Sequence, residues 1–256
     1  MLEDYIGKDI DLTDVTVLHE KDNHRIYWLG IDDENAFRCN VYLIEDEDEF
    51  ILVDPGSRSY FEQVYERVLQ ITDPMNVSKL ILCHQDPDVA ASMVDWLQLN
   101  ENITIYSSAR ANVLLPHYGV DSYNFVDVVE NPILKFKSGN QLHFIESPFL
   151  HFPGAFTTLD KNSNYLFSGD IFAALDTSWK LVVEDFDKHK MNLDLFHIDY
   201  MASNIAARGY VKRLEGIQVD ALLPQHGSII SRKDVDAALE YLTDLRCGTD
   251  LIYGDL

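Results

Sequence analysis

With 256 residues, 46% hydrophobic and 25% charged, the chain is long enough for one large domain or two small ones around a real core. Its 43 acidic against 20 basic residues leave a net charge of −23, a field that repels phosphate backbones and argues against nucleic-acid partners. No apolar run reaches the ~20 residues that cross a bilayer, which argues against a membrane protein. The acidic start from Met1 to Asp14 lacks signal-peptide character, and three scattered cysteines (Cys39, Cys83, Cys247) suit a reducing, cytoplasmic setting.

Taken in order, Val15 to Leu18 and Ile26 to Gly30 read as short strands around the polar turn Glu20 to Arg25. Asn40 to Ile44 and Phe50 to Val53 flank an acidic turn and read as a β-hairpin, closed by the turn residues Asp54-Pro-Gly-Ser57. Tyr60 to Gln70 places Phe61, Val64, Tyr65 and Val68 on one helical face. Leu80 to Leu82 is a buried strand that stops at His84, followed by a helix in which Val89, Met93 and Leu97 repeat, with Asp88 as its N-cap. Ile103 to Tyr106 completes a β-α-β unit, and Phe125 to Val129, Leu134 to Phe136 and Gln141 to Ile145 are further strands. A less regular section from Asp170 to Lys190 precedes an amphipathic helix through Leu195 to Leu214, and a last helix covers Lys233 to Leu245. No linker, repeat or low-complexity segment interrupts the chain, so 1–256 reads as a single domain.

The stretch His84-Gln-Asp86-Pro-Asp88 carries three potential metal ligands at alternate positions. Alternate residues of extended chain point the same way, and Pro87 biases Asp86 away from helical geometry. Alone, the stretch is equally a strand followed by a capped helix with an incidental histidine. Three more apolar runs lead to a candidate: Leu142 to Ile145 toward His151, Asn164 to Ser168 to Asp170, and Val219 to Gln225 to His226. In α/β proteins, ligand sites gather where loops leave strand ends, and the glycines beside Asp170 and His226 permit close backbone approach.

This arrangement resembles the metallo-β-lactamase superfamily over nearly the whole chain, which implies an α/β fold, an αββα sandwich. The superfamily motif His-x-His-x-Asp-His, then a distant His, a bridging Asp and a final His, stands here as His84-Gln-Asp86-Pro-Asp88-Val89, His151, Asp170 and His226. Two positions depart from it: Asp86 replaces the second histidine, and Val89 the fourth. A carboxylate at the second position is similar to the β-lactamase-like half of flavodiiron proteins, where Glu usually stands. Tyr27-Trp-Leu-Gly30, Asn40-Val-Tyr-Leu-Ile44 and Leu52-Val-Asp54 resemble that branch too. His151-Phe-Pro-Gly-Ala-Phe and Leu166-Phe-Ser-Gly-Asp170 resemble the stand-alone oxygen-binding diiron proteins of bacteria, which lack the flavodoxin half, and no such half is expected here.

The resemblance implies that His84, Asp86 and His151 hold a first metal, Asp88 and His226 a second, and that Asp170 bridges them. Mixed imidazole and carboxylate donors suit two iron ions, with manganese or zinc as the alternatives. Val89 offers no donor, so the second metal keeps an open, apolar-walled position suited to dioxygen or another small ligand. The function expected is therefore a non-haem diiron protein that binds, or also reduces, dioxygen, an oxygen or redox sensor. The partners expected are a signalling or electron-donor protein and a second copy in a homodimer. The alternative is a metal-dependent hydrolase of the same fold acting on a phosphodiester such as a cyclic dinucleotide, a thioester or a lactone through a metal-bound hydroxide.

Lesser candidates carry lesser expectations. His19, His24 and His189 read as solvent-facing; His117 and His143 read as core or surface residues, or as stand-ins for the ligand lost at Val89. His197 and Tyr200 share one helical face and either border the site or simply pack. Cys83 reads as a small core residue pointing away from the site, and Cys247 as a thiol near an exposed end.

Overall fold

A computed structural model describes residues 2–31 and 35–254. Contacts divide the chain into two compact units, one of Asp11–Asp33 and Cys39–Phe144, the other of Leu2–Ile10, Glu34–Arg38 and Ile145–Leu256.

In the first unit, β1 (Thr16–Lys21), β2 (His24–Trp28), β3 (Tyr42–Asp46) and β4 (Glu49–Val53) form an antiparallel meander. The sheet continues in parallel through β5 (Val77–Ile81), β6 (Thr104–Ser107) and β7 (Asn124–Asp127), giving the order β1-β2-β3-β4-β5-β6-β7. Its parallel part is built by crossovers: α1 (Phe61–Leu69) joins β4 to β5, while α2 (Pro87–Ala90) and α3 (Met93–Leu99) join β5 to β6. The short α4 (Ala109–Asn112) precedes β7, and β8 (Ile133–Lys135) pairs antiparallel with β9 (Gln141–Glu146). α1 buries Val64 and Val68 against a core that includes Leu43, Leu52, Leu80, Val89 and Trp96. Each such aliphatic side chain contributes about 1.5–3 kcal/mol on full burial.

The second unit contains β10 (Phe156–Asp160), antiparallel to β11 (Tyr165–Gly169), which runs parallel to β12 (Ala221–Pro224). Strand β13 (Ile230–Ser231) closes antiparallel on β12. Helices α5 (Phe186–Tyr200), α6 (Asn204–Arg213), α7 (Arg232–Asp244) and α8 (Thr249–Ile252) complete it, with Leu166, Phe172, Leu193, Phe196, Tyr210 and Leu222 in its own core. Among the described residues, no helix is long and apolar enough to cross a membrane.

Three elements differ from expectation for identifiable reasons. The helix after His84 is not one rod capped by Asp88. Asp86 is its N-cap and Pro87 its first residue, and the rod breaks between α2 and α3. There the turn after β4 intrudes: the Gly56 amide donates to the Val89 carbonyl (3.0 Å) and the Ser92 amide to the Gly56 carbonyl (3.0 Å). The helix expected through Leu195 to Leu214 is two helices. Met201-Ala202-Ser203 is non-helical, the Ala202 amide donates to the Phe149 carbonyl (3.3 Å), and the Ser203 side chain restarts the helix by accepting from the Ala206 amide. The polar turn at Glu20 to Arg25 shrinks to Asp22-Asn23, because the charged residues around it continue the β1–β2 ladder.

Candidate metal centre

Donors of the first unit lie where β5 leaves the sheet. Asp54, at the end of neighbouring β4, takes a left-handed conformation (φ 50°) and accepts from the Cys83 amide at 2.9 Å, while its own amide donates to the Ile81 carbonyl. That clamp ends the strand at a fixed point, and the next residue is His84, buried at 2% exposure. Its Nδ1 stands 3.0 Å from the Cys83 thiol and its Nε2 3.5 Å from Asp86 Oδ2. Asp86 has extended backbone (φ −63°, ψ 150°) and uses its carbonyl, not its carboxylate, to start α2. The carboxylate can therefore face His84, steadied by the Gln85 amide group on Oδ1 at 2.7 Å. Asp88 sits in the first turn of α2, half-buried, with a carboxylate oxygen within 4.8 Å of Cys39 Sγ. Tyr118 ties the loop from outside by donating to the Gln85 carbonyl at 2.5 Å. Burial pushes the Tyr118 phenol up to about 12, and the charges of Asp86 and Asp88 push it further in that direction against His84.

In the second unit the organising residue is Asp170. It follows β11 directly, His226 stands two residues beyond the end of β12, and because the two strands are parallel neighbours both residues emerge at the same sheet edge. Asp170 Oδ2 lies 3.0 Å from His151 Nε2, and its Oδ1 lies 3.7 Å from His226 Nε2. One carboxylate thus spreads its two oxygens between two imidazoles. His226 Nδ1 is 3.2 Å from the Arg38 carbonyl, which can only accept, so Nδ1 carries the hydrogen and Nε2 turns its lone pair toward the carboxylate. Gly227 makes room for this loop: at φ +82°, a Cβ there would stand 2.7 Å from that of Ala174.

Aromatic rings hold these donors in place. Phe37 stacks on the His226 ring with centroids 3.5 Å apart, and Phe196 stacks on both Phe37 (5.4 Å) and Tyr200 (4.6 Å). Phe196 and Tyr200 also meet the His151 ring edge-on, at 6.2 and 6.0 Å. His197 faces the other way. Its Nδ1 donates to the Leu193 carbonyl (2.8 Å) while its Nε2 accepts from the amide of Phe172, a residue held at φ 68° two positions after Asp170. Burial drives the His197 imidazole down to about 4, outweighing its bond to Leu193 and the charge of Asp170, so the ring stays neutral in that role.

Geometry within the second unit fits cation binding. Two donors ~2.1 Å from one ion at a right angle stand ~3 Å apart, close to the 3.0 Å between His151 Nε2 and Asp170 Oδ2. Between His226 Nε2 and Asp170 Oδ1, two lone-pair donors face each other at 1% and 5% exposure, an arrangement that a cation satisfies. The donors are imidazole nitrogens and carboxylate oxygens, the set that suits iron or manganese more than an all-histidine zinc site.

Several secondary expectations are corrected. His24 is buried, not solvent-facing, with Nδ1 2.7 Å from Asp46 Oδ2, because its cross-strand partner is Asp46 itself. His189 is buried at 5% exposure inside the first half of α5, and His19 is half-buried. Cys247 is buried as well, and burial, with Asp250 nearby, raises its thiol to about 11, so it is a structural rather than a reactive cysteine. Cys83 is a core residue as expected, yet its sulfur turns back to the His84 ring. His117 is exposed, and His143 Nε2 is 3.0 Å from Gln141 Oε1. The roles of Phe37, Gln85 and Tyr118 had no sequence signal beyond their types; Phe196 and Tyr200, four apart on a helix, did.

The chain is similar to several known proteins. A structure of the flavo di-iron protein from Thermotoga maritima, 20% identical with a TM-score of 0.78, covers 89% of this chain and 61% of its own. The peroxy diiron form of the chemotaxis sensor ODP is 32% identical with a TM-score of 0.84, over 94% of this chain and 100% of that one. The same sensor from T. denticola in its apo state is 32% identical with a TM-score of 0.82. Among curated relatives, diflavin flavoprotein A 1 of Synechocystis is 28% identical over 77% of this chain and 35% of its own length. Nitric oxide reductase of Moorella thermoacetica is 27% identical over 84% of this chain and 58% of its own. The chain spans about a third of the length of the diflavin flavoproteins it matches.

The fold is of the metallo-β-lactamase type, as in flavodiiron proteins. Residues 37–227 match the family described as ODP family beta lactamase, and the chain belongs to that family.

Proposed function

We propose that this protein is a non-haem diiron protein that binds dioxygen and serves as an oxygen or redox sensor. His84, Asp86 and His151 would hold one iron, Asp88 and His226 the other, and Asp170 would bridge the pair; residues 1–256 are read as a single domain. The observation that carries the reading is the Asp170 carboxylate, with one oxygen toward His151 and the other toward His226. Support also comes from the likeness, at 32% identity over nearly the whole chain, to the peroxy diiron species of the chemotaxis sensor ODP.

When bound, the two irons supply the electrons that dioxygen needs; the protein's part is to hold and enclose them. The Arg38 carbonyl fixes the His226 tautomer, Gln85 steadies Asp86, and the stacked Phe37 and Phe196 rings give the His226 side an apolar wall. Three carboxylates against two divalent ions leave about one positive charge, which favours a reduced-oxygen anion as ligand. A cytoplasmic setting, a partner protein that receives the signal or donates electrons, and a homodimeric assembly belong to the same reading.

The test is reconstitution with Fe(II) under argon followed by air. Two irons per chain and a new oxygen-dependent visible absorption are expected. Zinc retained in place of iron, with no spectral response and with turnover of a phosphodiester, thioester or lactone, contradicts it.

A further inference from the structure

Position 89 is the one place in the ligand motif where the chain offers no donor, and Val89 is fully buried in the first unit's core. A thiol stands nearby. Cys39 Sγ lies within 4.8 Å of a carboxylate oxygen of Asp88 and 3.9 Å from the Asp88 backbone carbonyl, and Cys39 is buried at 5% exposure. The segment carrying it is tied to the other ligand of the same iron. Phe37 stacks on the His226 ring, the Arg38 carbonyl fixes His226 Nδ1, and Cys39 is the next residue in the chain. Three consecutive side-chain or backbone groups are thus committed to His226 and Asp88.

We propose that Cys39 supplies a thiolate ligand to the metal held by Asp88 and His226. The inference rests on the diiron reading above. With it, each iron has four protein donors: His84, Asp86, His151 and Asp170 for one, Asp88, His226, Asp170 and Cys39 for the other. Iron accepts up to six ligands, so positions remain for dioxygen, and the soft sulfur donor raises electron density at the second iron. The step is a ligand exchange: the thiol loses its proton to solvent, a sulfur–metal bond forms, and nothing is oxidised. A merely structural Cys39 would instead be a small core residue, replaceable without effect on metal.

The experiment loads the full chain anaerobically with Co(II) alone, counts bound cobalt, and records the near-ultraviolet sulfur-to-cobalt charge-transfer band. The proposal expects two cobalt ions and this band. Cys39→Ala and Cys39→Ser should abolish the band and weaken binding of the second cobalt at least ~10-fold, whereas Cys247→Ala retains it. Should Cys39→Ala fail to fold, Cys39→Ser, which keeps the size of the side chain, carries the same test. Two bound cobalt ions without the band overturn the Cys39 proposal and leave the six-residue centre standing. A band that survives in Cys39→Ala or Cys39→Ser, or disappears in Cys247→Ala, also overturns it. No bound cobalt removes both readings together.

Discussion

The two units fix their donors by different means. In the first, the His84 to Asp88 stretch is locked by groups close to it in sequence or on the adjoining strand: Cys83 on His84, Gln85 on Asp86, Asp54 on the Cys83 amide. In the second, His151, Asp170 and His226 come from three separate stretches, and rings from a helix and from Phe37 hold them in place. The first is a hydrogen-bonded clamp with partners that are individually replaceable. The second is a packed cluster around Asp170, where one change touches every donor.

That contrast sets the order of expected effects. Asp170→Asn should be the most damaging: it removes the charge facing both His151 and His226, and iron content should fall from two per chain to below one. His84→Ala, by contrast, should cost one iron and spare the other, as metal analysis of both variants would reveal.

Next comes Gly227→Ala. The left-handed backbone and the 2.7 Å approach to Ala174 allow no Cβ. The strain and overpacking together should cost about 2–4 kcal/mol, read as a lower denaturation midpoint. Equal stability of the variant would mean that the loop carrying His226 is looser than the geometry indicates.

Acid stability tests the second unit's packing through His189. Burial pushes this imidazole down to about 4, against a smaller opposing pull from Asp176, while the unfolded chain titrates near ~6.5. The unfolded state therefore takes up a proton first as pH falls. Stability is full above ~6.5, declines through the interval down to about 4 and levels off below it, a loss of roughly 3 kcal/mol from this residue. His197, also near 4, adds in the same direction. Between pH 7 and pH 4 the melting temperature of wild type should fall further than that of His189→Leu; parallel curves would show that His189 is not the group responsible.

The smallest effect belongs to the clamp. Tyr118→Phe deletes the bond to the Gln85 carbonyl and should cost about 1 kcal/mol of stability. Both irons should remain, since no donor moves. Loss of iron in this variant would show that the first unit's donors are as interdependent as those of the second.

Much of the candidate centre was legible in the sequence because each donor ends or closely follows an apolar run. Strand periodicity and turn chemistry are local signals, and they place His84, Asp170 and His226 at strand ends without any long-range knowledge. What local patterns miss is which distant segment intrudes. Gly56 breaks the helix after Val89, Phe149 interrupts the helix near Ala202, and a cross-strand Asp46 turns His24 inward. The Phe37-Arg38 pair was invisible for the same reason: nothing near it in the chain announces that it packs on His226.

The central proposal is that Asp170 links two irons, and X-ray absorption at the iron edge of the Fe(II)-loaded protein tests it most directly. The account predicts an iron–iron scattering path at about 3.5–4 Å, with nitrogen and oxygen neighbours, that vanishes in Asp170→Asn. A fully loaded protein with no iron–iron path would contradict it, because the two donor groups would then be holding separate ions.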